Sequence, residues 1–167
     1  RRPYARGRED SRPLYRLIGG IFGKDAEAER LAAKFAIAYR RLAALAPALP
    51  ARKVIYLIWK NPWMGISRDT YIANMLGLVN WRVVRPRPGA DLPALELTPA
   101  LLAEADLVLF GTEPYAFAEA DLDAFAAEHD CPRAKLRIID GENASWYGPR
   151  AIDGLDYLAE LAQSVRG

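Results

Sequence analysis

Residues 140–150, DGENASWYGPR, hold a dense set of side chains that could do chemistry. They include the carboxylates of Asp140 and Glu142, the guanidinium of Arg150 and the rings of Trp146 and Tyr147. Such a stretch is compatible with a nucleotide loop, a catalytic loop or one wall of a binding cleft. The elements that position it decide among these three readings.

Four apolar runs alternate with helical patterns after residue 52. The first, third and fourth runs are nearly continuous in apolar character, which is typical of strands covered by helices on both faces. Strands that alternate with helices indicate βαβ units and a parallel sheet. We therefore predict a doubly wound α/β fold with a mainly parallel, four-stranded sheet flanked by helices. The runs are KVIYLIW (53–59), WRVV (81–84), DLVLF (106–110) and KLRIID (135–140).

A long amphipathic helix is predicted before the first strand. Apolar residues recur at helical spacing in residues 26–45, AEAERLAAKFAIAYRRLAAL, and a shorter helical piece spans residues 14–21. Ser67 is predicted to cap the helix after the first strand, and Thr98 followed by Pro99 to begin the helix after the second. The long helix has no partner strand, so we expect it to pack outside the βαβ repeat.

Large aromatic side chains gather where the predicted strands end. In an open parallel sheet, ligands bind outside the carboxyl ends of the strands, so these loops are candidate ligand contacts. Their rings suggest a broad apolar ligand with a few polar handles. The alternative is that each ring only closes the top of the core. The candidates are Trp59, Trp63 and Met64 after the first strand, Tyr115 and Phe117 after the third, and Trp146, Tyr147 and Arg150 after the fourth.

Catalysis at the same strand ends would rest on carboxylates. Glu113 and Glu142 could flank a substrate as general acid and base, with Asp140 nearby. No histidine follows these strands, no G-x-S-x-G supplies a nucleophile, and no metal-ligand spacing occurs. Neither a G-x-G-x-x-G after a strand nor a G-x-x-x-x-G-K-[ST] is present. A small α/β enzyme therefore stays open as an alternative, whereas nucleotide binding is disfavoured.

The composition indicates a globular protein without a general affinity for nucleic acid. The chain has 167 residues, 51% hydrophobic and 26% charged, with a net charge of +2. The arginine-rich residues 1–13 are predicted to be a solvated arm or the remnant of a preceding lobe. Cys131 and His129 are the single cysteine and histidine, so neither an internal disulfide nor a Cys/His zinc site is expected. Both are predicted to lie at an exposed helix end.

Three segments resemble a known family in order and spacing. They are IWKNPWMGISRDTYIANML (58–76), GTEPYAF (111–117) and DGENASWYGPR (140–150). Together they resemble the C-terminal lobe of the helical-backbone metal receptors, the class III substrate-binding proteins of ABC importers. These proteins bind cobalamin, ferric siderophores or haem, and the chain is most similar to the cobalamin-binding-like branch. LIGGIFGKDAEAERLAAKF (17–35) resembles the start of their backbone helix.

The resemblance implies an organisation and a set of contacts. Residues 14–46 would form the backbone helix and residues 52–167 the C-terminal ligand-binding lobe. The aromatic candidates would face the ligand and Arg150 an acidic substituent of it. A docking glutamate for the importer permease has no clear match, and Glu96 or Glu104 is predicted to substitute. The ligand would be cobalamin, haem or a ferric siderophore, with no intrinsic cofactor.

Compartment and completeness follow the resemblance as expectations. The N-terminal lobe of the family has no counterpart here, so half of the expected cleft is missing. The periplasm or cell envelope is favoured, while a cytoplasmic location stays open because no signal peptide is visible. No apolar run approaches the ~20 residues of a membrane-spanning helix. An interaction module that has lost transport is a further alternative.

Overall fold

The computed structural model describes residue 20 and residues 23–84, 94–145 and 150–165. The predicted arm at 1–13 and most of the predicted helical piece at 14–21 lie outside the described residues. In chain order the elements are α1 (Asp25–Leu45), β1 (Arg52–Trp59), β2 (Met64–Gly65), α2 (Tyr71–Gly77), β3 (Trp81–Val83), α3 (Pro99–Glu104), β4 (Leu107–Gly111), α4 (Glu119–Glu128), β5 (Leu136–Ile139), α5 (Gly141–Ser145) and α6 (Arg150–Ser164). None of these described helices has the length and hydropathy needed to cross a membrane.

The sheet is built around β1. β4 pairs in parallel with residues 54–57 along one edge of β1, and β5 pairs in parallel with β4. β3 lies parallel to the first residues of β1, while β2 is antiparallel to its last residues. The predicted parallel strands are confirmed. The predicted strand number is too low by one, because the two-residue strand β2 folds back along β1.

Two apolar cores cover the two faces of the sheet. Successive side chains of a strand point to opposite faces, so Val54 and Tyr56 enter one core and Ile55 and Leu57 the other. Helices α1, α2 and α6 supply the first core, and α3 and α4 supply the second. The doubly wound arrangement predicted from the alternating runs is therefore confirmed.

Helix α1 packs outside the βαβ repeat, as predicted. Its buried side chains include Phe35, Ala38 and Leu42, which lie one or two turns apart on one face. They join Leu155 and Leu158 of α6 in the first core. Burial of each large apolar side chain contributes about 1.5–3 kcal/mol. This packing fixes α1 against the α/β layer.

The caps of two helices differ in how well they were predicted. Thr98 Oγ1 accepts a hydrogen bond from the Leu101 N–H at 3.2 Å, which confirms the predicted start of α3. The prediction for Ser67 is wrong, because Thr70 caps α2 through a 3.2 Å bond from the Ala73 N–H. The Ser67 carbonyl instead accepts the Thr70 hydroxyl at 2.9 Å. The cap lies three residues later than predicted since the chain still turns at residues 67–70.

Candidate ligand-binding site

The order of the parallel strands reverses between β1 and β4. From β1 the chain crosses to β3 on one side, and it later returns to β4 on the other. In open α/β sheets this arrangement leaves a crevice outside the carboxyl ends of the two flanking strands. The loops at residues 60–63 and 112–118 border that crevice, and the start of α5 lies beside them. The predicted ligand-facing loops therefore come from neighbouring strands.

Trp59 and Tyr115 form an exposed aromatic pair at this crevice. Their ring centroids are 5.5 Å apart and their planes are inclined by 79°, which is the edge-to-face geometry that aromatic rings favour. Trp59 retains 40% of its accessible surface, whereas Tyr115 is half-buried and packs against the second core. Within the described residues, only Ile37 of α1 is another large hydrophobic residue with this degree of exposure. The exposed pair is therefore an apolar surface at the strand ends.

Trp63 and Phe117 form a second aromatic pair in the same two loops, here called the buried pair because Phe117 lies in the second core and half-buried Trp63 packs against it. Their rings stack with centroids 6.1 Å apart and planes inclined by 11°. Phe117 is 4% exposed, and Trp63 also meets Phe125 of α4 edge-to-face at 5.2 Å. Both residues belong to the second core or pack against it. The structure thus places Phe117 in the core and Trp63 against it.

Hydrogen bonds hold the loop after β4 against the end of β5 and the start of α5. The Thr112 N–H donates to the Ile139 carbonyl at 3.0 Å, and the Gly141 N–H donates to Thr112 Oγ1 at 2.9 Å. A Cβ atom at Gly141 would lie 2.6 Å from the Glu113 nitrogen, so the two backbones approach closely. Glu113 is therefore fixed beside the beginning of the third loop, which comprises residues 140–150.

Asp140 and Glu142 have structural partners in that third loop. Asp140 Oδ1 accepts the Asn143 N–H at 3.0 Å, and Oδ2 accepts the Asn143 side-chain amide at 2.8 Å. Glu142 forms an ion pair with Arg150 at the beginning of α6. The Arg150 charge is thereby directed at a carboxylate of its own chain. Trp146 and Tyr147 lie outside the described residues, so their predicted contacts remain predictions.

Lys60 and Asp121 form an ion pair across the crevice border. Lys60 Nζ lies 2.8 Å from Asp121 Oδ1, and the two side chains are 27% and 16% exposed. Hydrogen bonding to Asp121 raises the pKa of Lys60, and hydrogen bonding to Lys60 lowers the pKa of Asp121. Asp121 Oδ2 also accepts the Ala118 N–H at 3.0 Å. Sequence reasoning missed this pair, and its available signal was a lysine placed directly after a strand.

Cys131 and His129 are less exposed than predicted. Cys131 is 6% exposed in the second core, and burial raises the pKa of its thiol. The His129 ring packs 4.5 Å from Phe125 and 6.0 Å from Trp63, measured between centroids. The surface prediction is wrong because α4 ends with its apolar side turned toward these rings. A raised thiol pKa disfavours the reactive thiolate.

The remaining candidates are distributed over the molecule. Met64 of β2 is partly buried against the first core. Exposed Glu96 lies near β2, since Leu95 donates its N–H to the Trp63 carbonyl at 2.7 Å. Glu104 instead pairs with Lys53 at 3.4 Å, at the amino end of β1. The two docking candidates therefore lie at opposite ends of the sheet. Among the described residues, no group of three or more His, Cys, Asp or Glu side chains could hold a metal ion.

Comparison with solved structures identifies the fold. A possible iron-binding periplasmic solute-binding protein of Staphylococcus epidermidis superposes with a TM-score of 0.77 at 14% identity, covering 98% of this chain and 64% of that one. The periplasmic vitamin B12 binding protein BtuF of Vibrio cholerae gives 0.77 at 10% identity, with 96% and 64% covered. A periplasmic haem-binding protein of Pseudomonas aeruginosa gives 0.71 at 19% identity, with 97% and 62% covered.

The fold is that of the class III substrate-binding proteins. The resemblance seen in the sequence motifs is thereby confirmed in the fold. The chain spans about 64% of the length of the first of these structures. No protein-family model and no curated protein sequence matches it. The superposition with the Staphylococcus epidermidis structure covers 98% of this chain, so it extends over the long helix α1 as well as the α/β layer.

Proposed function

We propose that this chain supplies one ligand-binding wall of an ABC-importer substrate-binding protein. Its cargo would be a metal chelate of the cobalamin, haem or ferric siderophore type. The comparison structures include proteins described as binding vitamin B12, haem or iron, and they are binding proteins rather than enzymes. Their identity to this chain is low, so the ligand must be argued from its own residues.

The observation that carries the proposal is the exposed pair Trp59 and Tyr115. Its rings lie at the crevice where ligands bind in doubly wound sheets. Leaving an indole 40% exposed keeps apolar surface in water, and covering it with a flat ligand releases that water. The edge-to-face arrangement offers the ligand one ring face and one ring edge. We propose Trp146, Tyr147 and Arg150 as further contacts from the third loop.

The charges of the same loops favour a neutral or cationic chelate. Their two cations, Lys60 and Arg150, each form an ion pair with a carboxylate of this chain. Two further carboxylates, Glu113 and Asp140, lie in the same loops. Carboxylates therefore outnumber cations, which disfavours a ligand rich in negative charge. Since haem carries two propionates and a corrinoid carries mostly neutral amides, we propose a corrinoid-like ligand.

The opposite wall of the cleft is proposed to come from a second lobe. The comparison structures are longer than this chain, and a single wall leaves a ligand open to solvent. Delivery of the ligand to an importer permease is part of the proposal, with Glu96 as its docking candidate on the ligand side of the sheet. A periplasmic or cell-envelope location is proposed with it, since the comparison proteins are periplasmic.

Isothermal titration calorimetry with three probes tests the proposed function. We expect cyanocobalamin to bind more tightly than haemin or a ferric catecholate siderophore. Trp59→Ala should weaken binding by roughly tenfold or more, because central aromatic contacts contribute above about 1–2 kcal/mol. Ile37→Ala is the matched control, since it removes a large apolar side chain from α1 that is even more exposed, at 52%. Absence of heat with all three probes, or equal affinities for wild type and Trp59→Ala, would contradict the proposal.

A further inference from the structure

An ion pair between side chains joins the loop after β1 to helix α4, which follows the loop that carries Tyr115. Lys60 directly follows Trp59 at the end of β1, whereas Asp121 lies in the first turn of α4. Their contact at 2.8 Å therefore spans the crevice border from the loop after β1 to the helix after β4. The second oxygen of Asp121 holds the Ala118 N–H at 3.0 Å, which fixes the carboxylate relative to its own loop.

Tyr115 is an electrostatic neighbour of this ion pair. The phenol of Tyr115 is close enough to Lys60 to interact with it electrostatically, as is the carboxylate of Glu128. One neighbour of Lys60 in the sequence, Trp59, is the ring that meets Tyr115 edge-on. Moving the Lys60 backbone would therefore move one member of the exposed pair relative to the other.

We propose that Lys60 and Asp121 are positioning residues that set the relative orientation of Trp59 and Tyr115. This inference rests on the proposed function, but the ion pair and the contact between the two rings form within the chain itself. The ion pair holds the loop after β1 against α4. The exposed rings then keep one arrangement instead of sampling several, which lowers the entropic cost of binding a flat ligand.

The ion pair is present throughout the neutral pH range. The pKa of Asp121 is lowered from its ordinary value of 3.8, so the pair is intact above that value and is lost as pH falls through the lowered pKa. The pKa of Lys60 is raised from 10.5, so the pair is lost at the other limit as pH rises through the raised pKa. Ordinary physiological pH therefore leaves the orientation of the rings unchanged.

Near-ultraviolet circular dichroism of the ligand-free chain gives the first test, since it reports the asymmetric environment of aromatic rings. Lys60→Met should change the spectrum, and the change should disappear in a Trp59→Phe background. Lys53→Met is the matched control, because Lys53 lies near the start of β1, the strand that Lys60 follows, and pairs with Glu104 there. Identical spectral effects of Lys60→Met and Lys53→Met would overturn the inference.

Three further variants separate positioning from folding. Asp121→Asn removes the charge but keeps an oxygen that can accept the Ala118 N–H, so it should reproduce the spectrum of Lys60→Met. Lys60→Arg should retain the wild-type spectrum because the cation is conserved. Exchanging the two charges, Lys60→Asp with Asp121→Lys, should restore part of the signal. A wild-type spectrum for Asp121→Asn would contradict the inference even if Lys60→Met fails to fold.

Calorimetry with cyanocobalamin gives the functional readout. We expect Lys60→Met and Asp121→Asn to weaken binding by about two- to fivefold, the range for a partly exposed ion pair, and Lys53→Met to leave it unchanged. Unaltered affinity in both variants, in a chain that binds the probe, would overturn the inference. If the wild-type chain binds no probe, the proposed function fails, while the ligand-free spectra still decide whether the ion pair positions the rings.

Discussion

The exposed pair and the buried pair come from the same two loops but differ in how far their rings reach into water. Trp59 and Tyr115 meet edge-on at the crevice, with Trp59 40% exposed. Trp63 and Phe117 stack four and two residues further along, and Phe117 is 4% exposed. Tyr115 and Phe117 are in contact, with centroids 4.5 Å apart. The rings thus form a continuous series from the second core to the surface.

Residue type alone therefore does not assign a role to an aromatic side chain in a loop. Rings that fill the core fix the loop, and the rings next to them can then stay exposed without letting the loop move. Burial of Phe117 contributes to the stability of the fold, whereas the exposed pair provides apolar surface for a ligand. If this division is correct, variants of the buried pair and of its supporting loops should lower stability more than a variant of the exposed pair.

The largest effect should come from the buried pair. Phe117→Ala removes a ring from the second core, and we expect it to lower the free energy of unfolding by about 3–5 kcal/mol. Urea denaturation followed by far-ultraviolet circular dichroism measures this loss. Phe117→Leu is the control and should cost less than about 1.5 kcal/mol, because it conserves most of the volume. A loss below about 1 kcal/mol for the alanine variant would show that the ring is not an anchor.

An intermediate effect should come from the contact between the second and third loops. Gly141→Ala places a methyl group 2.6 Å from the Glu113 nitrogen, so the backbones must separate. We expect a loss of roughly 1–3 kcal/mol in urea denaturation, together with a shift in the position of the exposed pair. Gly77→Ala is the matched control because no atom lies within 4 Å of its Cβ position. That control should change stability by less than about 0.5 kcal/mol, because Gly77 is the last residue of α2, and a similar loss in both variants would contradict the close approach.

The smallest effect on stability should come from the exposed pair itself. Trp59→Ala should change the free energy of unfolding by less than about 1 kcal/mol, because much of its ring is already in water. Differential scanning calorimetry of wild type and variant measures the change. A loss comparable to that of Phe117→Ala would mean that Trp59 also anchors the loop, and the distinction between the two pairs would fail.

The sequence predicts the elements of this fold better than the details of its site. Apolar runs and helical spacing suffice for the parallel strands and α1, because burial on both faces leaves a strong pattern. β2 was missed because two residues are too short to show a period. The cap at Thr70 was misplaced because Ser67 has the same hydrogen-bonding chemistry. Both features lie between β1 and α2, where the chain turns, and residue types alone do not show the course of that turn.

The burial and pairing of the side chains at the site depend on contacts between residues that are distant in the sequence, which a local sequence pattern does not show. Trp63 has the same residue type as Trp59, and its contact with the second core depends on Phe125 of α4, which lies far along the chain. The ion pair of Lys60 and Asp121 joins residues 61 positions apart. A motif could place both loops at the strand ends, but it could not say which ring faces outward or which charges are already paired.

Nuclear magnetic resonance of the indole N–H groups tests directly whether Trp59 contacts the ligand. The chain has four tryptophans, so a ¹⁵N-labelled sample should give four indole signals, assignable by single Trp→Phe variants. On addition of cyanocobalamin we expect the Trp59 signal to shift or broaden, while that of Trp81, which is 1% exposed, stays in place. An unchanged Trp59 signal at saturating ligand, or a larger shift at Trp81, would contradict the assignment of the exposed pair as the ligand-binding wall.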